Sequence, residues 1–318
     1  MKTMLVFPGQ GSQYPGMGKD IFDNYECSRK VFSLVSDELN KDIADLAFNG
    51  KDEEIKKSYN TQPLLMTVSV ATYLAMEKEY GEKLNNLNIC GVAGHSLGEY
   101  SALCVSNCLS IKNTAKILFK RGKAMYECVN NDTGMLAVIG SDNETIQQNI
   151  NKIKPKCLVI ANSNSIGQTV VSGYLEDIEK FKIEMANQAK QLIQLPVSGA
   201  FHSPLMQKAQ DIMEHEIDNL DIQEPKYQIL QNYSGRFEKK TSDIKFNLKK
   251  QITAPVLWCE NIRYAISNGF DTFIEIGAKN VLSKLIKRTI KKEEESKIKI
   301  LNIENTENIK TLFEYIKK

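Results

Sequence analysis

The chain has 318 residues, and its 41 Lys and Arg against 39 Asp and Glu leave a formal net charge of +2. That balance argues against a nucleic-acid binder, which carries a strongly basic face or tail. A 42% hydrophobic and 25% charged composition excludes a disordered chain and is enough to bury a sizeable core in one large domain or two moderate ones. No stretch reaches the roughly 18 apolar residues of a membrane span, and the apolar run at the N-terminus is too short for a signal peptide. The seven cysteines form no C-x-x-C pair. A soluble, cytoplasmic protein is therefore expected, with reduced thiols acting as small hydrophobes. Cys104 and Cys108 sit four apart with no histidine nearby, a poor zinc site.

In chain order, Met4–Phe7 reads as a short strand stopped by Pro8-Gly9. Gly9, Gly11, Gly16 and Gly18 punctuate the next loop. Their spacing fits no phosphate cradle: Tyr14 stands where a dinucleotide fingerprint needs its third glycine, and Gly18-Lys19-Asp20 replaces the Gly-Lys-Ser/Thr of a P-loop. Gln62–Tyr80 has apolar residues at helical spacing. Ile89–Ala93 suits a buried strand, and Ser101–Val105 turns helical. The middle of the chain then alternates: strand Met135–Ile139, helix Asn143–Ile153, strands Leu158–Ala161 and Thr169–Ser172 joined by a polar turn over 162–167, helix Leu175–Ala189 and strand Gln191–Pro196. That is the ferredoxin-like β-α-β-β-α-β order, and it marks residues 131–196 as a small inserted α+β subdomain. The flanking segments, 1–130 and 197–318, also alternate strand and helix, as in a large α/β domain with a parallel sheet covered on both faces. Phe273–Ile276 is a late strand and Val281–Ile290 a helix. The charge-dense Lys291–Lys299 reads as a solvated helix end or loop, and Ile309, Leu312, Phe313 and Ile316 form one stripe on a closing helix.

Gly94-His95-Ser96-Leu97-Gly98 matches G-x-S-x-G, with a strand running in and a helix running out. Two glycines permit a tight turn that lifts Ser96 Oγ clear of the sheet and aims N–H groups of the helix start at the same space. A serine needs a base, and the chain has three histidines. His95 adjoins Ser96 at a sharp turn and should point away from it. His215 lies between Glu214 and Glu216 on an amphipathic helix, as a solvated side chain does. His202 remains, at a loop-to-helix junction where Ser203 can cap and Pro204 fits the first turn. A plain turn with a capping serine and a structural histidine stay open on these residues alone. Arg121, at the end of an apolar helical stretch, reads equally well as a surface charge.

Phe7-Pro8-Gly9-Gln10-Gly11-Ser12-Gln13, the Gly94–Ala102 segment, Arg121-Gly122 with Met125, Ala200-Phe201-His202-Ser203, and Gln251 followed by Pro255-Val256 occur in that order. In these motifs the chain resembles the malonyl-CoA:acyl carrier protein transacylases and the acyltransferase domains of polyketide synthases, over nearly its whole length. The resemblance implies an α/β-hydrolase-like large domain with an inserted ferredoxin-like subdomain. It implies Ser96 as nucleophile, His202 as general base and the N–H groups of Gln10 and Leu97 as oxyanion hole. Arg121 would bind the malonyl carboxylate, with Met125 and Phe201 in the acyl pocket, and Phe201 matches the pattern paired with malonyl rather than methylmalonyl. The Gln251 main-chain carbonyl would orient the histidine in place of an acid. Gly277-Ala278 departs from a common Gly-Pro, and a small loop change is expected there.

The partners so implied are malonyl-CoA and an acyl carrier protein supplied in trans, with no nucleic acid, membrane, metal or redox cofactor. The carrier could serve fatty-acid or polyketide synthesis. Lys249-Lys250 and Lys284, Lys287 and Arg288 are the basic clusters available to dock it. A thioester or acyl hydrolase on the same Ser-His pair, or an idle scaffold that only docks a carrier, are the competing readings. Arg121 separates the first of these, since a hydrolase of plain acyl groups has no use for a charged anchor.

Overall fold

The protein is described by a computed structural model covering residues 1–197 and 199–316. Among these residues ten strands build two sheets: β1 (Thr3–Phe7), β2 (Ile89–Gly94), β3 (Thr133–Ile139), β4 (Leu158–Ser165), β5 (Gln168–Tyr174), β6 (Gln191–Gln194), β7 (Gln228–Leu230), β8 (Phe237–Glu238), β9 (Thr272–Ile276) and β10 (Lys299–Ile303). The larger sheet has the order β10-β9-β1-β2-β7-β8. All its pairs are parallel except β7 with β8. β1 lies in the middle and is buried on both faces, as its unbroken apolar sequence demands. Leu5 and Phe7 feed the core on one side and Met4 and Val6 the core on the other, the two-residue period of a strand.

The second sheet, β4-β5-β3-β6, is antiparallel throughout and has the ferredoxin-like order. Leu136 and Val138 face the helices Asn143–Ile153 and Leu175–Met185 in a core of their own. Met135, Ala137 and Val170 point the other way, into the core of the larger unit. β4 also forms an isolated parallel bridge between Asn162 and Val256.

Several elements differ from the sequence reading. The polar run 162–165 is strand, not turn. Its side chains are buried, and two of them reach the larger unit: Ser163 Oγ donates to Glu260 Oε1 at 2.9 Å, and Asn164 Oδ1 meets the His95 ring. The turn shrinks to Ile166-Gly167, where Gly167 takes a φ of 72°. The long helix starts at Ser58, ahead of Gln62, so Pro63 sits inside it. Its first residues are polar and gave no apolar period. Leu175–Met185 ends before the predicted Ala189, and β6 stops at Gln194. β7, β8 and β10 have no counterpart in the sequence reading: β7 and β8 are very short, and β10 begins inside the charge-dense segment. In the closing helix Thr306–Ile316, Ile309 and Leu312 are buried as expected, while the side chains of Phe313 and Ile316 lie outside the described residues. Among the described residues no helix is long and apolar enough to cross a membrane, and no cluster of His, Cys, Asp or Glu could hold a metal.

The carboxyl ends of β1 and β2 converge on Gly94 and Gly98. A Cβ on Gly98 would lie 2.2 Å from the Phe7 carbonyl oxygen, and one on Gly94 would lie 1.9 Å from the Gly98 carbonyl carbon. Both clashes are with backbone, which cannot step aside. Gly98→Ala should therefore lower stability by at least about 3 kcal/mol, the upper range for overpacking a close contact. Urea unfolding checks this, and a variant within about 0.5 kcal/mol of wild type would contradict the packing described.

Candidate active site

The turn between β2 and the helix Gly98–Val105 places Ser96 at φ 52°, a left-handed conformation that costs a non-glycine residue of order 1–3 kcal/mol. Hydrogen bonds hold it there. Ser96 N–H donates to Asn232 Oδ1 at 2.7 Å, and Asn232 Nδ2 donates to the Gly94 carbonyl at 2.7 Å, so one amide spans the turn. His95 N–H donates to the Phe7 carbonyl at 3.1 Å and ties the turn to β1.

His202 also adopts a left-handed φ, 56°, at the junction the sequence indicated. Ser203 Oγ accepts from Leu205 N–H and donates to the Ala200 carbonyl, which fixes the start of the 3-10 turn Pro204–Met206. His202 Nε2 lies 2.9 Å from Ser96 Oγ, and His202 Nδ1 lies 2.8 Å from the Gln251 carbonyl oxygen. A carbonyl can only accept, so Nδ1 carries the proton and Nε2 is left as the acceptor facing the serine. Burial, reinforced by the charge of Arg121, holds the imidazole down to about 3. The ring is neutral at neutral pH without a carboxylate beside it.

Arg121 is neither at a helix end nor on the surface. It lies within the helix Ile111–Glu127 and is 1% exposed. Gly122 makes this possible: a Cβ there would lie 2.5 Å from the Ser58 carbonyl oxygen, so the helix can press against the start of Ser58–Tyr80. Arg121 Nη1 donates to Gln62 Oε1 at 2.8 Å. Nη2 donates to Gln251 Oε1 at 2.9 Å and to Ser96 Oγ at 3.2 Å. Nε has no hydrogen-bond partner among the described residues.

A cavity of about 160 Å³ opens in front of Ser96. Gln10, Leu97, His202 and Arg121 line its polar side, and Met125, Met135, Val170 and Phe201 its apolar side. Leu97 immediately precedes the helix Gly98–Val105, and neither its N–H nor that of Gln10 has a partner among the described residues. His95, expected to turn away, forms part of this wall. Its Nε2 lies 2.8 Å from Asn164 Oδ1, and its ring packs 5.8 Å from that of Trp258. His215 is remote, paired with Asn219 on its own helix. A larger open groove of about 890 Å³ lies at the other end of β2, beside Ile89 and Gln228.

Four contributors escaped the sequence reading: Gln62, Asn232, Glu99 and the side chain of Gln251. Gln251 Nε2 donates to the Ser96 carbonyl at 3.1 Å and to Glu99 Oε2 at 3.0 Å, so this residue touches serine, arginine and histidine together. Burial pushes the Glu99 carboxyl up to about 7, against the pull of its N–H donors and Arg121. Amides carry no chemical signature in a sequence. Glu99 alone left a trace, a charge at the head of an apolar helical run.

Fold and site together define an enzyme of acyl-group chemistry built on a serine turn. The acyl transferase domain family matches residues 4–317. The malonyl CoA-acyl carrier protein transacylase of Bacillus subtilis is 35% identical over 321 residues, covering 100% of this chain and 98% of that protein. An acyl-carrier-protein-S-malonyltransferase from Bartonella henselae superimposes with a TM-score of 0.93 at 34% identity, over 100% of both chains. A malonyl-transacylase solved in complex with its type II PKS acyl-carrier protein superimposes with a TM-score of 0.92 at 31% identity, over 99% of this chain and 100% of the other. The chain belongs to the acyl transferase family and, within it, to the malonyl-CoA:acyl carrier protein transacylases.

The depressed His202 has a consequence for stability. The unfolded chain binds a proton near the ordinary value of 6.5, whereas the folded protein resists it down to about 3. Stability present above pH 6.5 is thus lost as pH falls toward 3. His202→Gln, which has no proton to gain, should lose less stability than wild type over that window in paired denaturation curves. Parallel curves would show that the imidazole is not held neutral.

Proposed function

We propose that this chain moves a malonyl group from coenzyme A to the phosphopantetheine thiol of an acyl carrier protein, through an ester on Ser96. Ser96 Oγ attacks the thioester carbonyl while His202 Nε2 takes its proton. The tetrahedral oxyanion accepts hydrogen bonds from the Gln10 and Leu97 N–H groups, aided by the positive end of the helix that follows. The intermediate collapses, and the thiolate of coenzyme A leaves with the proton from His202. The carrier thiol gives its proton to His202 and attacks the ester, and Ser96 Oγ leaves with that proton returned from His202 Nε2. Gln251 supplies the carbonyl that keeps the imidazole in the required tautomer.

The observation that carries this reading is the position of Arg121. A buried cation stands 3.2 Å from the serine hydroxyl, held by neutral amide oxygens and by that hydroxyl. Its charge is therefore available to a carboxylate on the acyl group, which a planar guanidinium meets with parallel charge-assisted bonds. A hydrolase of neutral acyl groups gains nothing from it, and an idle scaffold needs neither the base nor the anchor. Met125 and Phe201 stand in the apolar wall, with Phe201 limiting the room for a branched acyl unit.

The same reading divides the chain into a large unit, 1–130 with 197–318, and a small unit, 131–196, whose sheet closes the acyl cavity. It places the enzyme in the cytoplasm, a setting that the seven free cysteines suit. The carrier serves fatty-acid or polyketide synthesis, and it docks on the helix Val281–Thr289. That helix bears Lys284, Lys287 and Arg288 together with the exposed apolar Val281, and Arg288 reaches Gln168 on the β4–β5 hairpin, two residues past the exposed Ile166. Lys249 is less available, being paired with Asp218.

Incubation with malonyl-CoA should give a malonyl adduct on Ser96 by intact mass, absent from Ser96→Ala. Arg121→Ala should lose about 30-fold or more in kcat/KM for malonyl-CoA, as expected when a buried charge partner is removed, and little for acetyl-CoA. An equal fall for both donors would make Arg121 a merely structural cation.

Reversing Lys284, Lys287 and Arg288 to Glu should raise KM for an acidic carrier several-fold at low salt and leave that for malonyl-CoA unchanged. A constant carrier KM would remove this helix from the docking face.

A further inference from the structure

Arg121 has a carboxylate close by, but not in contact. Glu99, in the first turn of Gly98–Val105, is completely buried. Its Oε2 accepts from Gln251 Nε2 at 3.0 Å and from Asn232 N–H at 2.8 Å, and its Oε1 accepts from Gln231 Nε2 at 2.9 Å. The Gln251 amide therefore stands between two opposite charges. Its oxygen faces the guanidinium and its N–H faces the carboxylate, so the amide dipole is aligned with the field of both. The other groups around Glu99 are neutral. The residues just after β7 contribute the Gln231 side-chain amide and the Asn232 main-chain N–H, and the segment after the helix Thr241–Lys250 contributes Gln251. Burial keeps the adjacent Tyr100 phenol protonated, and the His202 and His95 rings are both held neutral.

We propose that Glu99 is the buried counter-charge of Arg121, acting through the Gln251 amide, and that it sets how strongly the cavity prefers an acyl group bearing a carboxylate. The inference rests on the malonyl-transfer reading above and adds a residue to it. With a neutral acyl group in the cavity, one cation and one anion balance. With a malonyl group, two anions share the cation, and Glu99 weakens the grip on the substrate carboxylate. An anchor without this competitor would hold the malonyl ester too firmly for transfer to the carrier. Glu99 touches no reacting atom, so it is a positioning and tuning residue.

The test is Glu99→Gln, which keeps the side-chain length and an oxygen for Gln251 and Asn232 but removes the charge. The readout is the ratio of kcat/KM for malonyl-CoA to that for acetyl-CoA. His202 and the oxyanion donors serve both substrates and cancel in this ratio. It should rise on the order of tenfold in the variant, the scale of one charge acting across a few ångströms of protein. A structural role would depress both donors together and leave the ratio unchanged, which overturns the proposal. If the variant does not fold, the wild type decides. As pH rises through about 7, where Glu99 gains its charge, the ratio should fall; a flat ratio would overturn the proposal. Intact mass keeps the two readings apart. No malonyl adduct on wild-type Ser96 sinks the transfer reading, whereas a normal adduct with an unmoved ratio sinks only the role of Glu99.

Discussion

The site depends on how closely three stretches of backbone approach one another at the carboxyl end of the parallel sheet. The end of β1 at Phe7, the end of β2 at Gly94 and the helix start at Gly98 pack without room for a single Cβ between them. Gly9 is pressed in the same way, its Cβ position 2.5 Å from the His95 carbonyl oxygen. Such contact forces the intervening serine into a left-handed conformation and lifts its side chain off the sheet. It also brings the Gln10 loop beside Leu97, so that residues from distant parts of the chain line one small cavity. The strain is local, and the Asn232 side chain offsets it by bonding both ends of the turn.

Electrostatics in this cavity follow from burial more than from ion pairing. A triad carboxylate would stabilise an imidazolium. Here the group on His202 Nδ1 is a carbonyl, and the nearby charge is a cation that opposes protonation. The imidazole consequently stays a neutral acceptor toward Ser96. The same cation is the anchor proposed for the substrate carboxylate. One residue, Gln251, joins these functions: its main-chain oxygen meets the histidine, its side-chain oxygen the arginine, and its amide N–H groups the serine carbonyl and Glu99. A buried network of this kind is rigid because each member has few alternatives in a dry interior.

The smaller sheet is tied to this network. β4 pairs with Val256, a few residues past Gln251, through Ser163 N–H to the Val256 carbonyl and Val256 N–H to the Ala161 carbonyl. The segment that holds His202 is therefore also the segment on which β4 docks. Met135 and Val170, on the face of the small sheet turned away from its own helices, reach the cavity in front of Ser96. Alternation along β3 and β5 thus gives one face to the small core and the other to the site.

Local pattern was enough to read the alternating strands and helices, the β-α-β-β-α-β insertion, the serine turn and the candidacy of His202, since each rests on spacing, glycine placement or elimination among three histidines. The resemblance in separated motifs added Arg121, Gln10, Leu97 and the Gln251 carbonyl. Other features had no local signal. The polar run at 162–165 reads as a turn until a second surface is present to bury it, and the three-residue β7 is a strand only because β2 lies beside it. Sequence left Arg121 undecided between surface and interior, because its burial depends on Gly122 closing against a helix that starts about sixty residues earlier. Gln62, Asn232, Glu99 and the Gln251 side chain owe their importance wholly to folding. An amide or a carboxylate acquires a particular task only when removal of water limits it to the few partners that the tertiary structure places within reach.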